Sequence, residues 1–297
     1  VSVAPNGKTL FYCEAPETSL DKQLYLEDYR IMLLRDVNVS SKTPLVTDPS
    51  YGPAWYDDSV GFAYITFEQA ANRVIKSNVT NGSKTFVTRM SAGEGDSNPS
   101  VRGGVILCDI LNRNTRQVVS MKDNGQEITL LGEGEQPSWH PNGTKYLFVR
   151  RTEEKRGTAT FYPAGIYEMD LKSGQATQIY SPIIDEVNKY AEVCSRPSYS
   201  KDGKYVLFAK GRDLSLALVE RKNIFSRTAG KYLWTKPAVT AERRSHLFFM
   251  GADGSNLTQL TSGNVDVFSP AWGANNDIYF ISNVQNATEI WKAHLTL

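Results

Sequence analysis

The chain has 297 residues, 33 of them basic and 32 acidic, for a formal charge of +1. That balance gives no electrostatic reason to expect nucleic acid or an anionic membrane as a partner. No window reaches the roughly 18 consecutive apolar residues of a transmembrane helix, while 40% hydrophobic and 11% aromatic content are enough for a sizeable core.

Taken from the start, the chain is a series of short strands in repeated units. It opens at Val1, inside the first copy, so we expect upstream sequence, a secretion signal included. The first unit, near residues 1–52, pairs strands at 9–13 and 29–34, with an outer strand at 43–46. The second, near 53–136, has its strongest strand at 61–67. Its expected partner is 105–111, which leaves 68–103 as a long polar insertion with an extra strand near 84–90. Loops of that length are usually functional. The third unit, near 137–196, is the cleanest, with strands at 145–150, 166–171 and 177–180. The fourth, near 197–269, has strands at 205–209 and 246–250, separated by an insertion at 211–244 with a strand at 215–219. The fifth, near 270–297, supplies 277–282 and 289–295.

Apolar and polar residues alternate along these strands, as in half-buried antiparallel sheets, and no convincing helix of ten or more residues interrupts them. One phrase recurs. Pro137-Ser138-Trp139-His140-Pro141-Asn142-Gly143, followed by Tyr146-Leu147-Phe148, returns as Pro197-Ser198-Tyr199-Ser200-Lys201-Asp202-Gly203 before Tyr205-Val206-Leu207-Phe208. Looser copies start near Ser2, Pro53 and Pro270. A small antiparallel sheet repeated in this way buries its faces only against neighbours, which predicts a β-propeller: all-β, four-stranded antiparallel blades, five recognisable repeats, five or six blades. The repeated Trp or Tyr suits the wedge between neighbouring blades.

Together with Ile166-Tyr167-Glu168-Met169-Asp170-Leu171 and the later Gln259-Leu260-Thr261, the phrase resembles the TolB-type repeat, also described as WD40-like or PD40. The resemblance touches all five units. It weakens at Asp58-Ser59 and at Asn275-Asn276, which replace the Asn-Gly turn. It implies a periplasmic or secreted bacterial protein, or a module of a larger exported one. Within that family, function ranges from partner binding to lyase action on pectic oligosaccharides and accessory roles beside serine peptidases.

Catalytic signatures are scarce. No Gly-x-Ser-x-Gly elbow, His-Glu-x-x-His, P-loop or dinucleotide fingerprint occurs. His140, His246 and His294 are the only histidines, and His140 reads as a turn-surface residue. Asp57 and Asp58 read as turn polarity. Cys13, Cys108 and Cys194 cannot complete a disulfide framework; they read as small buried hydrophobes, one pair of which could bridge in an oxidising compartment. The six Asn-x-Ser/Thr sequons read as turn chemistry.

The segments just before each repeat diverge, and there the chain should pass from an outer strand towards the central axis. They place Asp48, Tyr51, Glu135, Gln136, Arg196 and Asp266 as ligand-binding candidates around a channel mouth. Such a ring could hold calcium through carboxylates and carbonyls, or water. No catalytic residue is assigned. The leading expectation is a non-enzymatic propeller binding a protein or peptide. The alternatives are a carbohydrate-active propeller using carboxylates such as Glu135 and Asp266 on an oligosaccharide, and an accessory domain of a longer enzyme.

Overall fold

A computed structural model describes the chain except residues 15–28, 37–41, 69–70, 89–94, 113–114, 158, 214–243 and 285–286. The described residues contain strands and turns and no helix. Blade 1 is β1 (Ser2–Val3), β2 (Leu10–Glu14), β3 (Arg30–Leu34) and β4 (Lys42–Val46). Blade 2 is β5 (Ser50–Trp55), β6 (Gly61–Glu68), β7 (Ala71–Asn78) and β8 (Lys84–Phe86). Blade 3 is β9 (Asp96–Arg102), β10 (Val105–Asn112), β11 (Thr115–Lys122) and β12 (Thr129–Glu133).

Blade 4 begins with β13 (Glu135–Trp139) and β14 (Lys145–Arg151). A hairpin of β15 (Glu154–Arg156) and β16 (Ala159–Phe161) precedes its remaining strands, β17 (Ala164–Asp170) and β18 (Gln175–Tyr180). After the short β19 (Ile184–Asp185) comes blade 5: β20 (Tyr190–Tyr199), β21 (Tyr205–Asp213), β22 (His246–Gly251) and β23 (Thr258–Gln259). Blade 6 has, among the described residues, three strands, β24 (Asp266–Trp272), β25 (Asp277–Val284) and β26 (Ala287–His294).

The expected pairing in the second unit is corrected. Gly61 to Glu68 pair with Ala71 to Asn78, not with 105–111. Residues 68–103 are therefore no insertion. They complete blade 2 and begin blade 3, because each blade strand needs hydrogen-bonded neighbours and 71–78 supplies the nearer ladder. The strand expected near 84–90 is β8. Most of the 211–244 segment, with its expected strand at 215–219, lies outside the described residues.

Second strands are buried on both faces because a blade stands on either side. Tyr146 and Phe148 of β14 face blade 3, packing with Leu107 and Val118. Leu147 of the same strand joins Cys194, Tyr199, Val206 and Phe208 of blade 5. Similar apolar clusters fill the seams between blades 1 and 2, 2 and 3, and 5 and 6. The repeated tryptophans lie in these wedges as expected. Trp55 donates its indole hydrogen to the Ser2 carbonyl of blade 1 at 3.1 Å, and Trp272 donates to Ser198 of blade 5 at 3.1 Å.

The inner strands β1, β5, β9, β13, β20 and β24 follow one another around the axis, and β24 meets β1. Residues joining the first and second strands form turns at one end of the ring, the lower face. There His140 is more than a surface residue: its ring packs on Tyr199 of the next blade, with centroids 4.5 Å apart. A Cβ on Gly203, where φ is +74°, would come within 2.4 Å of that imidazole. Asp58 accepts hydrogen bonds from the Val60 and Gly61 amides, so it is turn chemistry, while Asp57 pairs with Arg102. The three cysteines are unpaired, Cys108 and Cys194 being buried.

Candidate functional site

Five inner strands share one irregularity. Gly52, Asn98, Gln136, Arg196 and Ser269 each precede a proline and have φ of 61°, 50°, 55°, 53° and 52°. At the same place the pairing slips, between Tyr51 and Ala54, Leu107 and Asp109, Glu135 and Ser138, Ser195 and Ser198, and Phe268 and Ala271. Proline lacks the amide a ladder needs, so it is accommodated at a bulge. A positive φ is uncommon for residues other than glycine, and strained backbone of this kind clusters at functional sites. Each bulge turns one residue out of the sheet plane near the axis.

Asp109 of β10 ties blades 3 and 4 together. It is fully buried and accepts hydrogen bonds from Arg116 at 2.6 Å, from the Asn98 amide group at 2.7 Å and from the Gln136 backbone at 2.8 Å. Gln136 continues the chain, its Oε1 accepting from the Arg196 backbone amide at 2.6 Å. Tyr51 of blade 2 bonds Ser97, and burial raises its hydroxyl pKa above the ordinary value. Glu135 lies 3.9 Å from Arg116. Burial is the main reason its carboxyl titrates above the usual carboxylate range. Asp109 adds to the rise, while Arg151, Arg116 and Arg196 oppose it.

Arg196 occupies the centre of this arrangement. It belongs to blade 5, yet the groups acting on its charge are Asp109 of blade 3, Cys13 of blade 1, Tyr51 of blade 2 and Glu135 of blade 4. Only a side chain at the axis has such neighbours. Protein surrounds it, which lowers its pKa from the ordinary value, but the residue remains open to solvent in the channel. Among the described residues its guanidinium makes no hydrogen bond or ion pair.

Of the six expected site residues, four are therefore brought together: Tyr51, Glu135, Gln136 and Arg196. Two are not. Asp48 forms an ion pair with Lys84 on the outer strand of blade 2. Asp266 accepts the Ser245 backbone amide at 2.8 Å. The carboxylate pair expected from Glu135 and Asp266 is thus replaced by Glu135 and Asp109, and Asp109 is already saturated. Calcium finds no set of three acidic, histidine or cysteine ligands among the described residues. Arginines instead stand beside the channel carboxylates and repel a cation.

Ser97 and Asn98 went unrecognised because they fall within 68–103, read as an insertion, whereas Asp109 and Arg116 fall outside it and carry no local signal. For Asn98 a signal was present. Asn98-Pro99-Ser100 has the spacing of Gln136-Pro137-Ser138 and Arg196-Pro197-Ser198 and marks the start of another blade.

Neither a family model nor a curated protein sequence matches the chain. Solved structures do. TolB from Acinetobacter baumannii superposes with a TM-score of 0.67 at 15% identity, covering 98% of this chain and 62% of that one. The fold is a TolB-like β-propeller. The propeller domain of the Trilobed protease from Pyrococcus furiosus, described as having an open velcro topology, matches with a TM-score of 0.56 at 11% identity, over 98% of this chain and 79% of that one. An oligogalacturonate lyase from Vibrio parahaemolyticus matches with a TM-score of 0.54 at 14% identity, over 99% and 76%. The present chain spans less than two thirds of the A. baumannii TolB. Such identities establish the propeller architecture and leave activity to the site itself.

Proposed function

We propose that the chain is a non-enzymatic TolB-like propeller of the bacterial envelope or exterior that binds a protein or peptide at the channel mouth. The observation carrying this reading is the Arg196 guanidinium, a solvent-open cation at the axis with no hydrogen-bonding partner among the described residues. The adjoining carboxylates Asp109 and Glu135 face Arg116. A partner carboxylate or backbone carbonyl reaching the axis would satisfy Arg196 with charge-assisted hydrogen bonds. Tyr51, Gln136 and Glu135 would orient the rest of the segment. The described residues contain no helix long and apolar enough to cross a membrane.

The test is a pull-down from envelope extract, followed by titration of the purified captured protein. Wild-type chain should bind it, and Arg196→Gln should bind at least about tenfold more weakly with unchanged thermal melting. Capture of no partner, together with turnover on a glycan panel, would overturn the proposal.

The carbohydrate-active reading draws on the raised Glu135 pKa, which suits a general acid. It also needs a second free carboxylate, and Asp109 is bound by Arg116, Asn98 and Gln136. The glycan panel discriminates the two. A full-length reading frame would test the remaining alternative, an accessory propeller of a longer enzyme.

A further inference from the structure

Strand register sets five side chains at one level of the channel. Tyr51, Ser97, Glu135, Ser195 and Phe268 are each the last residue of an inner strand paired before its bulge. Opposite them on the second strands stand Ile65, Asp109, Val149, Ala209 and Ile281. Four of the five inner residues are polar. Phe268 is the exception, an aromatic ring 37% exposed on the blade that follows Arg196's own. Its counterparts Tyr51 and Glu135 both act on the Arg196 charge, so the guanidinium sits at this level of the ring. One side of the channel mouth thus offers a cation and, on the neighbouring blade, an apolar surface.

A second donor adjoins the cation. The Gln136 backbone amide donates to Asp109 at 2.8 Å, and its Oε1 accepts from the Arg196 amide at 2.6 Å. Those two bonds fix the side-chain amide and leave its Nε2, which donates to no described residue, beside Arg196. The nearby acids, Asp109 and Glu135, face Arg116 at 2.6 and 3.9 Å. An anion and an apolar group attached to one carbon would meet both halves of this mouth. The last residue of a peptide has that arrangement, because its α-carboxylate and its side chain share the Cα. An Asp or Glu within a chain would bring two flanking lengths of backbone with it. Arg196 has neighbours from blades 1 to 4 around it, and a place walled on so many sides admits a chain end more readily than a loop.

Building on the reading that a peptide enters the channel mouth, we propose that the bound segment is a free C-terminus. Its α-carboxylate pairs with the Arg196 guanidinium and the Gln136 Nε2, and an apolar last side chain packs on Phe268. The arginine fork meets a carboxylate through two parallel hydrogen bonds. Capture of a chain end by its carboxylate is a recurring mode of peptide recognition.

The test is calorimetric titration of the full chain with three probes: N-acetyl-Gly-Gly-Gly-Leu as the free acid, the same peptide as its C-terminal carboxamide, and N-acetyl-Gly-Gly-Gly-Gly as the free acid. The Leu acid should bind at one site. The carboxamide should bind at least about tenfold more weakly, having lost the charge-assisted bonds. The Gly acid should bind about fivefold more weakly, having no side chain to bury. Arg196→Gln should erase the preference for acid over amide, Phe268→Ser the preference for Leu over Gly, and the surface variant Lys122→Gln should change neither. The comparison of acid with amide in the wild type needs no variant, so it decides the matter even if Arg196→Gln melts early. Absence of saturable heat from the Leu acid, or equal binding of acid and amide, would overturn the C-terminal assignment. The channel reading would survive that result if a protein captured from envelope extract still depended on Arg196. If the captured protein ignores Arg196→Gln, the channel reading fails as well.

Discussion

The seam between blades 4 and 5 and the seam that closes the ring are built differently. In the first, Phe208 stacks near Phe248 and Tyr180, with centroids 5.9 and 5.5 Å away, among other fully buried apolar side chains. A buried Lys210–Glu192 pair caps it. Around the closing seam, besides the contact of β24 with β1, the contacts described involve turns. Gly7 of blade 1 lies against Ala274 of blade 6, and Lys201 of blade 5 donates to the Pro5 carbonyl at 2.9 Å. Blade 6 also lacks, among the described residues, the fourth strand that the other blades possess, and Trp291 on β26 is 44% exposed. One ring thus combines seams held by apolar volume with a junction held by backbone fit. Mutations should separate the two kinds.

The largest effect is expected inside the apolar seam. Phe208→Ala removes a fully buried ring from between two blades, and such truncations cost about 3–5 kcal/mol. The shift in urea midpoint measures it. A loss below about 1 kcal/mol would mean that the seam collapses around the gap and contributes little beyond its volume.

The polar cap of the same seam comes next. Lys210 and Glu192 are only 13% and 12% exposed, and removing one partner of a buried pair costs about 3 kcal/mol because the other stays buried and unpaired. Glu192→Gln should approach that figure. Burial alone would raise the Glu192 pKa, but hydrogen bonds from Lys210, Tyr180 and the Ile183 amide outweigh it and hold the carboxyl below its ordinary value. A carboxyl depressed in the folded state stabilises above its unfolded pKa of about 4.3, and the benefit fades as pH falls through the lower folded value. Wild type should therefore lose more stability in acid than Glu192→Gln does. Identical acid slopes for the two proteins would show that Glu192 is not the depressed group.

How far these features could be read in advance depends on whether they are local. Trp139, Asn142 and Gly143 announce a strand, a turn and an aromatic wedge within a few residues, so the propeller was legible from the repeated phrase. The blade formed by residues 96–133 was harder to see. Its turn is Arg102-Gly103-Gly104, and its inner strand carries Ser100 and Val101 where blade 4 has Ser138 and Trp139. Gln136 and Arg196 were legible as candidates because they immediately precede a repeat start. Asp109 was not. It is one carboxylate in an apolar strand, and its importance comes from Asn98, Arg116 and Gln136, which only the folded ring brings to it. Asp48 and Asp266 likewise stand near repeat starts but found partners away from the axis cluster in Lys84 and the Ser245 amide.

The closing junction provides the smallest and most specific test. Gly7 has φ of +71°, and a Cβ added there would lie 2.3 Å from the Ala274 Cβ. Gly7→Ala therefore carries two penalties. The left-handed backbone costs an L-residue about 1–2 kcal/mol, and the clash pushes the blade 1 turn away from blade 6. A double-mutant cycle separates them. Ala274→Gly alone should change stability little, since it removes one methyl group from a turn. Combined with Gly7→Ala it should recover the clash and leave the backbone strain. If the double variant is no more stable than Gly7→Ala, the two turns do not press on each other. The junction would then rest on the contact of β24 with β1 and on the Lys201 hydrogen bond, which as an exposed interaction is worth about 1 kcal/mol or less.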